Sequence, residues 1–97
     1  MRRMAKWQTR LDDRLIESLA DAEWPLPTEQ VAAAVGEPAG RVRDRLFTLT
    51  HAEFTSIAYR TQRGIKWELG DDGQGYLDGR MDALGRDRWI PATYLKV

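Results

Sequence analysis

Basic side chains are concentrated between positions 41 and 66, where six arginine and lysine residues outnumber two acidic ones. The six are Arg41, Arg43, Arg45, Arg60, Arg63 and Lys66. An arginine guanidinium can donate two parallel hydrogen bonds to a guanine, and flanking basic side chains can neutralise phosphates. The whole chain balances 15 basic against 15 acidic residues, so the excess is local. Such a block fits contact with a nucleic acid or, without structural support, a solvated surface.

Residue types that support catalysis are sparse in this chain. It contains no cysteine and one histidine, His51, which excludes thiolate chemistry and any site built from several histidines. The carboxylate pairs Asp12-Asp13 and Asp71-Asp72 each lie at a predicted helix start, where an acidic side chain caps the first turn. The sequence therefore predicts a protein that is not an enzyme and that holds no cofactor and no metal.

Helical periodicity in the first third of the chain predicts a helix over about residues 10–22. Thr9 can cap its first turn together with Asp12, which follows three residues later. The segment Trp24-Pro25-Leu26-Pro27 ends this helix, because proline lacks the backbone donor that a helix needs.

Two further helices are predicted around a tight turn. The second begins at Pro27 or Thr28 and stops at Gly36, a residue that readily takes the left-handed conformation after a helix. The turn occupies residues 37–40, and the third helix runs over about 41–51. Its apolar face is predicted to comprise Val42, Leu46 and Leu49.

The periodicity then changes from helical to alternating, which predicts a β-hairpin over about residues 54–69. Its turn is predicted at residues 61–64, which end in glycine. A fourth helix is predicted to follow, with Asp71 or Asp72 as its cap and Gly85 as its end.

This order of elements predicts an α+β fold, a winged helix-turn-helix with three helices, a two-stranded wing hairpin and a C-terminal fourth helix. We expect a basic N-terminal arm at residues 1–9, the folded domain at 10–85 and a dimer-associated C-terminal tail at 86–97. The longest apolar run, Val31 to Val35, is too short to span a membrane, so we expect a cytoplasmic protein without a membrane partner.

Three short segments, in a fixed order, carry a family resemblance. They are Lys6-Trp7-Gln8-Thr9 with Asp12-Asp13-Arg14-Leu15-Ile16-Glu17, then Leu26-Pro27-Thr28-Glu29-Gln30-Val31-Ala32 with Gly36, then the run from Trp67 to Gly79. Over about residues 5–80 the chain resembles small archaeal winged helix-turn-helix regulators of the phage phi-H repressor type, which occur in halophilic archaea. The resemblance implies DNA binding and transcriptional control, usually as a homodimer, and no cofactor.

The chain departs from that family at two positions. Asp44 stands in the third helix where such proteins usually have a basic or polar residue. Glu53 stands at the junction after this helix, where glycine is usual. Asp44 does not exclude DNA binding, because its carboxylate can accept a hydrogen bond from cytosine N4 or hold a neighbouring arginine.

The predicted elements assign candidate roles to particular side chains. The DNA-contact candidates are Arg41, Arg43, Asp44, Arg45 and Thr48 on the third helix, and Arg60, Arg63 and Lys66 on the wing. The apolar C-terminal part predicts a homodimer, and its interface candidates are Tyr76, Leu77, Met81, Leu84 and Trp89. A two-fold dimer would place its two third helices on successive major grooves, about 34 Å apart.

The sequence thus predicts a sequence-specific, double-stranded DNA-binding transcriptional regulator, a homodimeric repressor that occludes a promoter. No small-molecule substrate is evident from it. The alternative is a winged-helix protein-interaction module without direct base readout. Zero net charge, the acidic residues before the third helix and four tryptophans favour that alternative.

Overall fold

The computed structural model describes residues 8–78 of the chain. The elements, in order, are α1 (Arg10–Asp21), β1 (Leu26–Pro27), α2 (Thr28–Val35), α3 (Ala39–His51), β2 (Thr55–Thr61), β3 (Gly64–Leu69) and α4 (Asp71–Leu77). This confirms the predicted α+β class and the predicted order of helices and hairpin. Most of the N-terminal arm, the tail at 86–97 and the interface candidates Met81, Leu84 and Trp89 lie outside the described residues.

The start of α1 is built as the sequence predicts. The Asp12 backbone N–H donates to the Thr9 hydroxyl at 3.2 Å, and the Thr9 backbone N–H donates to the Asp12 carboxylate at 2.8 Å. These reciprocal bonds form a capping box, which satisfies two donors at the helix start. The helix ends at Asp21, before the two prolines.

The helix-turn-helix unit consists of α2 and α3. Gly36 ends α2 with φ 71°, in the left-handed region that favours glycine, and its N–H donates to Ala32 O at 2.9 Å. The third helix begins at Ala39, two residues before the predicted start, because the carbonyl of Pro38 already accepts the Val42 N–H at 3.1 Å. The predicted apolar face is confirmed, since Val42, Leu46 and Leu49 are all fully buried.

The sheet has three antiparallel strands in the order β1-β3-β2, one more than the predicted hairpin. The additional strand, β1, pairs Leu26 with Trp67 and Pro27 with Lys66. Two residues that include a proline carry no strand signal in the sequence. A proline is nevertheless compatible with the edge of a sheet, where its missing donor faces no partner.

The fourth helix packs against the junction between α3 and β2. Its N-cap is Gly70, without a side-chain bond, so the prediction that Asp71 or Asp72 caps it is wrong, and both lie in its first turn. A side chain at Gly70 could not fit, because a Cβ atom there would lie 2.6 Å from the carbonyl oxygen of Glu53. Only glycine allows this approach of the two backbones.

Tyr76 belongs to the core of the single chain. Its ring lies 5.3 Å from that of Phe54, and it is fully buried. Its hydroxyl accepts from Gln8 Nε2 at 2.8 Å and donates to Asp13 Oδ1 at 2.9 Å. The expectation that Tyr76 lies in a dimer interface is therefore wrong, because these contacts within the chain already cover it. Leu77 is half-buried at the margin of the same core.

No helix within residues 8–78 is both long enough and apolar enough to cross a membrane.

Candidate nucleic-acid interface

The N-terminal half of α3 presents an exposed charged surface. Arg41, Arg43 and Asp44 are all exposed, on the side of the helix that does not pack on the core. Within residues 8–78, neither arginine forms an ion pair. Both guanidinium groups are therefore available to a partner outside this part of the chain.

Arg45, on the far side of α3 from Arg43, is buried, with 7% of its surface exposed. Its Nε donates to Asp12 Oδ1 at 2.9 Å, and its Nη2 donates to Asp12 Oδ2 at 2.7 Å. This two-pronged ion pair ties α3 to the capping box of α1. The expectation that Arg45 contacts DNA is therefore wrong, because its guanidinium is engaged inside the fold.

Thr48 requires the same correction. It is 1% exposed, and its hydroxyl donates to the Asp44 carbonyl of the preceding turn at 3.2 Å. The buried face of α3 is wider than the sequence predicts, because this helix packs against α1, α2 and β2.

A buried aromatic contact fixes the wing against the helix-turn-helix unit. Trp67 of β3 is fully buried, and its indole Nε1 donates to the Thr28 hydroxyl at the start of α2 at 2.8 Å. The Phe47 ring of α3 meets Trp67 edge to face, with ring centroids 5.1 Å apart. The Arg43 guanidinium lies 6.0 Å from the centre of the Phe47 ring. This cluster sets the wing's position relative to the exposed arginines.

Sequence reasoning did not assign a role to Trp67 or Thr28. The sequence does contain a signal for Trp67. It lies two positions from both Ile65 and Leu69, so the three apolar side chains share one face of the strand. No comparable signal marks Thr28, whose partner lies 39 residues away along the chain.

A groove of about 170 Å³ separates the wing from the helix-turn-helix unit. Its lining residues are Thr28, Glu29, Ala39, Gly40, Arg43, Gly64 and Ile65. The tip of the hairpin therefore lies beside the N-terminal ends of both α2 and α3. Arg43 supplies a positive charge to this groove and Glu29 a negative one.

Three basic side chains at the wing differ in their exposure to solvent. Arg60 and Arg63 are exposed, whereas Lys66 is half-buried. The Thr61 hydroxyl accepts from the Arg63 N–H at 3.1 Å and donates to the Gly64 carbonyl at 3.2 Å, which closes the tip. Gly64 has φ 128°, a conformation that a side chain would strain.

Within the described part of the chain, no cluster of histidine and acidic side chains is arranged to hold a metal ion. The exposed arginine side chains of this surface offer hydrogen-bond donors and positive charge.

The fold is similar to that of a known regulator. The PcaV transcriptional regulator from Streptomyces coelicolor, whose crystal structure was determined with its natural ligand, matches this chain with a TM-score of 0.63 and 18% sequence identity. The match covers 73% of this chain and 51% of PcaV, so the chain spans about half the length of that protein. At this identity the likeness shows the fold, which confirms the predicted winged helix. No protein-family model and no curated protein sequence matches the chain.

Proposed function

We propose that this protein is a sequence-specific, double-stranded DNA-binding transcriptional regulator. The observation that carries the proposal is the exposure of Arg41 and Arg43 in the first turns of α3, beside a wing that carries Arg60 and Arg63. Both elements belong to a winged-helix fold, in which the second helix of the helix-turn-helix reads the major groove.

Each exposed group has a defined chemical task in this proposal. The N-terminal turns of α3 enter the major groove, where Arg41 or Arg43 forks onto guanine O6 and N7. Asp44, exposed beside them, accepts from cytosine N4. The exposed wing residues Arg60 and Arg63 neutralise backbone phosphates, which sets the position of α3 on the duplex.

The biological role follows from the sequence resemblance. We propose a cytoplasmic repressor of the haloarchaeal phi-H type, which acts as a homodimer and occludes a promoter. With Tyr76 in the core, the remaining interface candidates are Leu77, Met81, Leu84 and Trp89. The winged-helix fold and the exposed arginines favour a binding protein over an enzyme.

A protein-interaction module is the second candidate, and one observation favours it. Trp24, in the connection between α1 and β1, is 68% exposed, which is unusual for so large an apolar side chain. It lies next to Glu23 and near Asp21, and both are exposed. A tryptophan on an acidic surface suits a protein partner better than a phosphate backbone.

Selection of bound sites from random double-stranded DNA, at two salt concentrations, tests the proposal. A regulator enriches a defined sequence, and Arg43→Ala lowers the affinity for that sequence. Arg43→Lys is the matched control, because it keeps the charge but cannot form the two-pronged bond to guanine. If no sequence is enriched, and untreated protein carries no nuclease-sensitive nucleic acid, the DNA-binding proposal is overturned in favour of the interaction module.

A further inference from the structure

The wing contains an irregularity that determines which side chains face the helices. Along β2 and β3, Ile57 pairs with Trp67, but the next pair along the ladder is Tyr59 with Lys66. Ala58 has no partner of its own, so β2 has one more residue than β3 at this point. This arrangement is a β-bulge, which can turn the side chains that follow it to the other face of a sheet.

The pairing identifies the face of each wing residue. Directly paired residues of antiparallel strands lie on the same face, and successive residues of a strand alternate. Trp67 is fully buried against the helices, so Ile65, two positions away on β3, lies on the same face. Arg60 pairs with Ile65 and therefore lies on the helix-facing side of the wing.

Tyr59 and Lys66 pair with each other on the outer face. The exposure of Tyr59 agrees with this assignment, because 50% of its surface is open to solvent. A strand without the bulge would give the reverse arrangement. Strict alternation from Ile57 would place Tyr59 on the helix-facing side and Arg60 on the outer face.

We propose that the bulge at Ala58 makes Arg60, and not Lys66, the wing residue that holds a DNA phosphate at the groove beside α3. Ile65 lines that groove together with Gly40 and Arg43. Arg60 pairs with Ile65 at the edge of that groove, about 5 Å away at Cβ, and its side chain is long enough to extend to a phosphate bound there. This inference rests on the proposed DNA-binding function.

The charges at the groove agree with a phosphate as the occupant. Arg43 and Glu29 line the groove with one charge of each sign, and Arg60 is exposed beside the groove, paired with the lining residue Ile65. Two guanidiniums on different elements can grip one phosphate from two sides. Because Trp67 fixes the wing to α2 and α3, such a phosphate would set the angle at which α3 enters the groove.

The test exchanges two neighbouring residues of the full-length chain, Tyr59→Arg together with Arg60→Tyr. This variant keeps the composition and the net charge but moves the cation to the outer face. We expect its affinity for the selected DNA site to fall about tenfold, as far as that of Arg60→Gln, with the slope of log affinity against log salt reduced by about one. Lys66→Gln should keep the wild-type affinity and slope.

Thermal unfolding of every variant distinguishes a loss of folding from a loss of binding. If the exchange variant does not fold, the comparison of Arg60→Gln with Lys66→Gln tests the inference instead. Equal affinities for wild type and the exchange variant, or a larger loss in Lys66→Gln than in Arg60→Gln, would overturn the inference while the proposed function stands. A wild-type protein that binds no DNA would overturn the proposed function, and this inference with it.

Discussion

Arg43 and Arg45 are two residues apart on α3, yet they belong to different parts of the molecule. Arg43 is exposed beside the wing groove, whereas Arg45 is buried and paired with Asp12. Two residues correspond to about 200° around a helix, so the two side chains leave α3 in nearly opposite directions. The same residue type therefore supplies an exposed positive charge on one side of the helix and a structural ion pair on the other.

The difference between the two arginines comes from α1. Asp12 already completes the capping box of that helix, and its carboxylate oxygens also accept from Arg45. A buried carboxylate shared between a helix cap and an arginine couples the start of α1 to the middle of α3. Arg43 has no acidic partner within residues 8–78, so its charge remains directed outward.

The largest expected effect is the loss of folding stability on removal of the buried arginine. Arg45→Ala should lower the free energy of unfolding by about 3–5 kcal/mol, because the Asp12 carboxylate then remains buried without its partner. Urea denaturation measures this change. Arg43→Ala is the matched control and should change the free energy of unfolding by less than about 0.5 kcal/mol.

A double replacement sharpens this prediction. Arg45→Met combined with Asp12→Leu removes both charges, so it should recover the loss to within about 1 kcal/mol, the cost of the missing helix cap. If Arg45→Ala instead unfolds like the wild type and loses DNA affinity, the contrast between the two arginines is wrong.

The next effect is on binding and concerns the exposed side of α3. Arg41→Ala and Arg43→Ala should each weaken the affinity for the selected DNA site by about 1–3 kcal/mol if the side chain contacts a base. Fluorescence anisotropy with a labelled duplex measures the loss, and circular dichroism should show an unchanged fold. If both variants bind the DNA site as tightly as the wild type, the N-terminal half of α3 is not part of the interface.

A smaller effect extends the comparison to the wing. Thr28→Val keeps the shape of the side chain but leaves the buried indole N–H of Trp67 without its acceptor. We expect the free energy of unfolding to fall by about 1–2 kcal/mol. DNA affinity should fall as well, because the wing loses its bond to α2. An unchanged denaturation midpoint would show that the wing is held independently of this hydrogen bond.

The smallest effect lies at the C-terminal end of α3. Glu53 has φ 68°, which is unfavourable for a residue with a side chain, so Glu53→Gly should raise the free energy of unfolding by about 1 kcal/mol. Gly70→Ala should have the opposite sign, because its Cβ would meet the Glu53 carbonyl. Thermal denaturation of the two variants checks both signs. A destabilised Glu53→Gly would mean that contacts of the glutamate outweigh the backbone strain.

Several features of this protein follow from the sequence because they depend on residues close together in the chain. The capping box needs only Thr9 and Asp12, and the end of α2 needs only Gly36. The alternation around residues 61–64 likewise indicates a hairpin without any distant partner. Local patterns of this kind determine the helices, the hairpin and their order, which are enough to recognise the winged-helix class.

Only the tertiary structure decided which of the candidate residues are accessible. Arg45 and Thr48 are buried because α1, α2 and β2 pack around α3, and Tyr76 bonds to residues more than 60 positions away. The bulge at Ala58 depends on the register between two strands, so alternation alone assigns the wrong face to Arg60. Charge and periodicity are properties of the sequence. The burial of a side chain, and the face of the sheet on which it lies, depend on which distant segments pack together.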